Sequence, residues 1–129
     1  MAHEILIVDD EADIRAQIAG VLSDEGYETR SASDSDGTLA AIEARLPSMV
    51  LLDIWLQGSK RDGIELLKMI QESHPGLPVI MISGHGNIET AVQAIRLGAY
   101  DFIEKPFEAD RLLLAIDRSR ETYRLKREN

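Results

Sequence analysis

Five residues whose side chains suit phosphate or metal chemistry each follow a segment typical of a β-strand. Asp9 and Asp10 follow ILIV, Asp53 follows MVLL, Ser83 follows VIMI, and Lys105 follows DFIE. Three carboxylates that share a small space repel one another unless one binds a proton or a cation neutralises them. Mg²⁺ suits such a site because it takes oxygen ligands and commonly joins one or two carboxylates to a phosphate. If the residues meet, the sequence predicts a Mg²⁺ site with a lysine opposite it.

Short apolar or β-branched segments alternate with amphipathic segments along the whole chain. This alternation predicts strands that are each followed by a helix. Gly26 and Pro47 are predicted to end the first two helices, and Leu39, Ile42 and Leu46 share the apolar face of the second helix. The predicted strands are 5–8, 28–32, 49–52, 79–82 and 101–104.

Five strand–helix units with short connections indicate an α/β fold. Parallel neighbouring strands need helical crossovers, so we expect one doubly wound, five-stranded parallel sheet with five helices, the flavodoxin-like arrangement. In such sheets, ligands bind beyond the carboxyl ends of the strands, where the strand order reverses. The five residues described above would converge at that edge.

The composition excludes several classes of function. The chain has 129 residues, of which 44% are hydrophobic, and a formal net charge of −9. These values are typical of one soluble globular domain and disfavour binding to nucleic acid or to an anionic membrane. No apolar run could span a bilayer, and the first residues do not resemble a secretory signal, so we expect a cytoplasmic protein. The absence of cysteine removes disulfides and thiolate chemistry.

The motifs VDDE, VLLD, MISG and EKPF occur in this order at the predicted strand ends. Together they resemble the receiver domain of two-component response regulators, and the resemblance covers essentially the whole chain. The longer stretches ILIVDDE, LLDIWLQGS, MISGHGNIETAV and GAYDFIEKPF are most similar to the receivers of NtrX-type nitrogen-metabolism regulators. The resemblance implies a phosphoprotein of phosphorelay signal transduction that acts in transcription regulation.

This resemblance also implies a role for each candidate residue. Asp53 would accept a phosphoryl group from a sensor histidine kinase as an acyl phosphate, and Lys105 and Ser83 would contact the transferred group. The domain would catalyse only its own phosphorylation and dephosphorylation, and in that sense it would not be an enzyme. The Mg²⁺ ligands would be Asp9, Asp10, Asp53 and the backbone carbonyl of Trp55.

The resemblance further implies a conformational switch. Ser83 would move toward the phosphate, and Phe102, three positions before Lys105, would turn inward. The surface formed by the fourth helix, fifth strand and fifth helix would then change shape and control homodimerisation or contact with an output domain. We predict a receiver domain at 1–118. Residues 119–129 would extend the last helix or begin a linker to an output domain of the same longer chain.

Each assignment has a simpler structural alternative. At the level of the whole protein, the domain could be a degenerate receiver that serves only as an interaction module, or a Mg²⁺-dependent phosphatase with an aspartyl nucleophile. Phosphatases of the haloacid dehalogenase class require a second acid two residues after the nucleophile. In this chain the residue two positions after Asp53 is Trp55, which argues against the phosphatase alternative at Asp53. For single residues, the alternatives are a helix cap at Asp10 or Glu11, a loop acid at Asp53, a solvated charge at Lys105, a turn hydroxyl at Ser83 and core filling at Phe102.

Two features depart from the usual receiver pattern. Many receivers carry proline four residues after the phosphoacceptor and an Asp-Gly pair soon afterward, whereas this chain has Gln57 and reaches Asp62 and Gly63 through a longer loop.

Trp55 and His85 flank the path that attacking water would take in the family geometry. They could tune hydrolysis of the acyl phosphate, or they could be a ring packed on the loop and an exposed histidine.

Overall fold

The computed structural model describes residues 3–84 and 88–128, with side chains described as far as residue 120. In this part of the chain, five parallel strands form one sheet in the order β2-β1-β3-β4-β5, which confirms the predicted fold class. None of the helices described has both the length and the apolar character that crossing a bilayer requires. The strands are β1 (Glu4–Val8), β2 (Glu28–Ala32), β3 (Met49–Asp53), β4 (Val79–Ser83) and β5 (Asp101–Glu104). The helices are α1 (Ala12–Asp24), α2 (Ser35–Ala44), α3 (Gly63–Ser73), α4 (Ile88–Arg96) and α5 (Ala109–Glu128).

The helices cover both faces of the sheet. Successive strand residues point to opposite faces, so Leu6 and Val8 belong to the core shared with α2, α3 and α4. Ile5 and Ile7 belong to the core shared with α1 and α5. All residues of β3 and β4 are buried, because helices lie on both sides of these central strands. Burial on both faces explains why these strands are continuous apolar runs rather than alternating ones.

The strand order reverses between β1 and β3, and the candidate residues lie at this point. Val8 pairs with Leu52, so Asp9 and Asp53 leave the sheet side by side. The helices that follow, α1 and α3, pack on opposite faces of the sheet. Their divergence leaves a crevice at the carboxyl ends of the two strands, as is usual at such a switch point.

Helix α2 is shorter than the sequence predicts. It ends at Ala44, and the predicted place of Leu46 on its apolar face is wrong, since Leu46 is 53% exposed. The Arg30 guanidinium donates hydrogen bonds to the carbonyls of Ala41 and Arg45 at the C-terminal end of the helix. The Ala41 carbonyl also accepts from the N–H of Arg45, the C-cap residue. In addition, a residue before a proline is sterically disfavoured in the helical conformation. Both effects end the helix before Pro47.

Helix α5 continues from Ala109 to Glu128, so the predicted boundary between residues 118 and 119 falls inside a helix. Arg120 connects this helix to the segment between α1 and β2. Its Nη1 donates to Tyr27 Oη at 2.9 Å, and its guanidinium carbon lies 5.5 Å from the centroid of the tyrosine ring. The distance suits a cation–π interaction. The helix is therefore attached to the domain beyond residue 118.

Candidate functional site

Three aspartate side chains meet at the carboxyl edge of the sheet, as the sequence predicts. Asp9 is 1% exposed and Asp53 is 3% exposed, while Asp10 is half-buried. One carboxylate oxygen of each residue lies within 4.8 Å of those of the other two. Like charges this close destabilise one another, so the cluster needs a proton or a cation.

Lys105 supplies a cation to two of the three carboxylates. Its Nζ lies 2.7 Å from Asp9 Oδ2 and 3.3 Å from Asp53 Oδ2. The backbone N–H of Lys105 donates to the carbonyl oxygen of Ser83 at 2.8 Å and so holds the end of β5 against β4. The Lys105–Pro106 peptide bond is cis. The solvated-charge alternative is wrong for Lys105, whose side chain is largely buried.

The environment of Asp53 makes its charged form less stable than that of an exposed aspartate. Burial, followed by the negative charge of Asp9, raises the pKa of the Asp53 carboxyl from 3.8 to about 6, although Lys105 opposes the shift. Burial by itself would lower the pKa of Lys105, but its contacts with Asp9 and Asp53 outweigh burial and raise it. Asp53 is therefore a carboxylate that an added cation would strongly stabilise in its charged form.

Backbone N–H groups bind the other carboxylate oxygens. Glu11 N–H donates to Asp9 Oδ1 at 2.8 Å, and Trp55 N–H donates to Asp53 Oδ1 at 3.4 Å. The N-cap position of α1 is Glu11, and its side chain makes no capping hydrogen bond. The structure therefore does not support the capping alternative for Asp10 or Glu11.

The chemistry of the donor set fits Mg²⁺. The three clustered groups are carboxylates, which are hard oxygen ligands, and Asp10 keeps the site partly open to solvent. An octahedral ion bound by a few protein oxygens would retain waters that a phosphate could replace. The residues present could thus hold the cofactor that the sequence predicts. The part assigned to the Trp55 carbonyl stays a prediction.

The remaining predicted residues that the structure describes differ in how deeply they are buried. Ser83 is the last residue of β4 and is completely buried. Phe102 in β5 is half-buried against the core cluster that includes Val8 and Leu52. The Trp55 indole is 46% exposed in the loop after β3. His85 lies outside the described residues.

Sequence reasoning noted the Asp62-Gly63 pair but missed the reason for its glycine. The Gly63 N–H donates to the carbonyl of Ile54 at 2.8 Å. A Cβ at residue 63 would lie 2.3 Å from the carbonyl oxygen of Asp53 and 2.6 Å from Ile54 Cα. The start of α3 therefore packs directly on the backbone of Asp53. The glycine that follows the candidate nucleophile in the sequence is the signal for this contact. Its spacing from Asp53 does not by itself predict that the two backbones touch.

A flavodoxin-like sheet with an aspartate cluster and a buried lysine at its switch point defines a class of α/β protein whose site suits a divalent cation beside a nucleophilic carboxylate. The sequence profile described as the response regulator receiver domain matches residues 5–117. The chain belongs to this receiver domain family of two-component response regulators.

Individual relatives confirm the finer resemblance to NtrX receivers. The nitrogen assimilation regulatory protein NtrX of Azorhizobium caulinodans is 65% identical over 128 residues, which are 99% of this chain and 28% of that protein. The crystal structure of the receiver domain of NtrX from Brucella abortus is 68% identical, with a TM-score of 0.89 over 92% of this chain and 98% of that one. The solution structure of the beryllofluoride-activated NtrC4 receiver domain dimer is 38% identical, with a TM-score of 0.87 over 93% of this chain and 98% of that one. The chain thus spans less than a third of the length of its curated relative.

Proposed function

We propose that this domain accepts a phosphoryl group on Asp53 from a sensor histidine kinase and acts as a switch in two-component signal transduction. The observation that carries the proposal is the environment of Asp53. This buried carboxylate lies beside Asp9 and within 3.3 Å of Lys105 Nζ, at the switch point of the sheet. Family membership supports the same role.

In the proposed transfer, a carboxylate oxygen of Asp53 forms a bond to phosphorus as the bond between phosphorus and the kinase histidine nitrogen breaks. The nitrogen keeps the bonding electrons, and the departing imidazole takes up one proton from solvent. Lys105 pairs with an oxygen of the transferred group, and the Ser83 hydroxyl donates a hydrogen bond to another. Asp9, Asp10, Asp53 and the Trp55 carbonyl would hold Mg²⁺, which would supply positive charge to neutralise the phosphoryl oxygens.

The domain would process no metabolite and would catalyse only its own phosphorylation and dephosphorylation. Intact-mass spectrometry after incubation with acetyl phosphate and Mg²⁺ tests the proposal. We expect one phosphoryl adduct on the wild type and none on Asp53→Asn. Asp13→Asn, which changes an exposed aspartate of α1, is the matched control and should label as the wild type does.

Labelling of Asp53→Asn would contradict the assignment of the acceptor. No adduct on the wild type from acetyl phosphate or from phosphorylated kinases would contradict the proposal as a whole. The alternative of a degenerate receiver that works only as an interaction module would then be favoured.

Phosphorylation would act on the surface formed by α4, β5 and α5, which we name the α4-β5-α5 surface. Ser83 and Phe102 would couple the phosphoryl group to this surface, because Ser83 ends β4 and Phe102 lies within β5. To move a population from about 1:99 to about 99:1 requires roughly 5.5 kcal/mol of differential stabilisation, much of which a charged phosphoryl group could supply. If Phe102 keeps one rotamer with and without a phosphate mimic, its role in the switch is refuted.

Exposed apolar side chains on this surface support a protein partner. Ile88, Val92 and Ile95 of α4 and Leu114 of α5 are all exposed, with Ile88 at 82%. The NtrC4 receiver, which is similar in fold, forms a dimer in its beryllofluoride-activated state. We propose that this surface binds a second copy of the domain, or an output domain of the same longer chain.

A further inference from the structure

The loop between β3 and α3, residues 54–62, is joined to the start of α2 by two serines. Ser35 N–H donates to Ser59 Oγ at 2.8 Å, and Ser59 Oγ donates to the Arg61 carbonyl at 2.7 Å. Arg61 N–H donates in return to Ser35 Oγ at 3.2 Å. We name this set of three hydrogen bonds, made by Ser35, Ser59 and Arg61, the serine clasp.

Each member of the serine clasp has the donor and acceptor groups that its hydrogen bonds require. A hydroxyl has one proton to donate and lone pairs to accept with, so Ser59 can serve as acceptor and donor at once. Ser35 is the first residue of α2 and is completely buried, and its N–H has no acceptor within the helix. Loss of the Ser59 hydroxyl would leave that buried donor without its partner, which is costly. The clasp should therefore hold the loop in one position.

The same loop contacts the acidic cluster through Gln57. Its backbone N–H donates to Asp10 Oδ2 at 3.3 Å, across 47 positions of sequence. Lys105 is within hydrogen-bond distance of Asp9 and Asp53, whereas the bond described for the Asp10 carboxylate comes from this loop. A proline, which many receivers carry at this position, has no N–H to donate. The contact is thus available to this chain because residue 57 is not a proline.

We propose that Ser35 and Ser59 are positioning residues for Mg²⁺ binding. By clasping the loop, they hold the Gln57 N–H against Asp10 and orient its carboxylate toward Asp9 and Asp53. This inference rests on the proposed Mg²⁺ site. The physical basis is pre-organisation, since a ligand already held in its binding geometry loses less conformational freedom when the ion binds.

Titration of the ¹⁵N-labelled protein with Mg²⁺, followed by amide chemical shifts, tests the proposal. Ser59→Ala and Gln57→Pro should each weaken Mg²⁺ binding by about 3- to 10-fold, the effect of losing one weak hydrogen bond to a charged ligand. Gln57→Ala, which keeps the N–H, and Ser33→Ala, which changes an exposed serine near α2, are the matched controls and should bind as the wild type does.

Amide exchange in Mg²⁺-free buffer provides a readout independent of the ion. In Ser59→Ala, the amides of Ser35 and Gln57 should exchange at least several-fold faster than in the wild type, while amides of β3 keep their protection. Equal Mg²⁺ affinity of Ser59→Ala and wild type would overturn the proposal even if the site itself is correct. A wild type that binds no Mg²⁺ would overturn the proposed metal site and, with it, this inference.

Discussion

Lys105 Nζ lies 2.7 Å from Asp9 Oδ2 and so joins the carboxyl ends of β5 and β1, which are separated in the sheet by β3 and β4. Asp53 Oδ2 lies 3.3 Å from the same lysine nitrogen. Asp9 is almost completely buried, and a buried charge without a partner is strongly destabilising. Lys105 therefore stabilises the metal-free domain. It is also the residue that we propose to contact the phosphoryl group.

Replacement of this lysine should destabilise the domain mainly when Mg²⁺ is absent. We expect Lys105→Met to lower the free energy of unfolding by about 3 kcal/mol at neutral pH, because Asp9 and Asp53 lose their cation. Saturating Mg²⁺ should recover much of the loss. Urea unfolding with and without Mg²⁺ measures both values, and Lys68→Met on the exposed face of α3 is the control. An equal loss under both conditions would show that Lys105 acts by packing alone.

Removal of the Asp53 charge should stabilise the metal-free domain above about pH 6. The pKa of Asp53 is raised from 3.8 to about 6, mainly by burial and then by Asp9. A raised folded pKa means that the stabilising contribution is complete below the unfolded pKa and is lost as the pH rises through the folded pKa. Asp53→Asn should therefore unfold with a free energy about 2 kcal/mol above that of the wild type at pH 7.5, and with nearly the same value at pH 4.

Thermal and urea unfolding across this pH range in the presence of a chelator would measure the difference. Asp13→Asn should show no such pH dependence, because Asp13 is exposed on α1. If Asp53→Asn is less stable than the wild type at pH 7.5, the burial-driven shift is not the dominant effect at this site.

A methyl group at residue 63 should disturb both stability and the site. The Cβ of Gly63→Ala would meet the backbone of Asp53 and Ile54 at 2.3 and 2.6 Å, so the backbone must move. We expect a loss of about 3 kcal/mol in stability and at least a tenfold slower phosphorylation, since small displacements of a nucleophile are costly. Gly20→Ala, in an exposed helical position with open space around it, should instead stabilise by about 0.5–1 kcal/mol. Unchanged labelling of Gly63→Ala by acetyl phosphate would argue against this contact.

Dimerisation through the α4-β5-α5 surface should depend on its exposed apolar residues. Light scattering should detect a dimer of the wild type with beryllofluoride and Mg²⁺, and a monomer of Ile95→Glu under the same conditions. A buried charge without a partner would disfavour the interface. Leu46→Glu, at an exposed position after α2, is the control. Monomers of the wild type with and without the mimic would contradict homodimerisation and favour an output domain as the partner.

The strands and the groups at their ends could be predicted from sequence because both depend on local patterns. A parallel strand buried on both faces needs a continuous apolar run, and the residue that ends such a run must lie at the carboxyl edge of the sheet. This rule locates Asp53 and Ser83. Lys105 instead follows the edge strand β5, which is only partly buried. The end of α2 is predicted less well, because the Arg30 side chain that binds the carbonyls of Ala41 and Arg45 comes from β2.

Only the tertiary structure decided which partner each charged group has. Lys105 is 96 positions from Asp9 and 52 from Asp53, and its shorter distance to Asp9 depends on how the sheet brings the strand ends together. The serine clasp and the Gln57 contact depend on backbone N–H groups, which every residue except proline carries, so residue types do not reveal them. The sequence by itself determined which chemical groups the site contains and at which edge they lie. Packing between segments far apart in the chain decided the distances between these groups, the pKa of Asp53 and the hydrogen bond from Gln57 to Asp10.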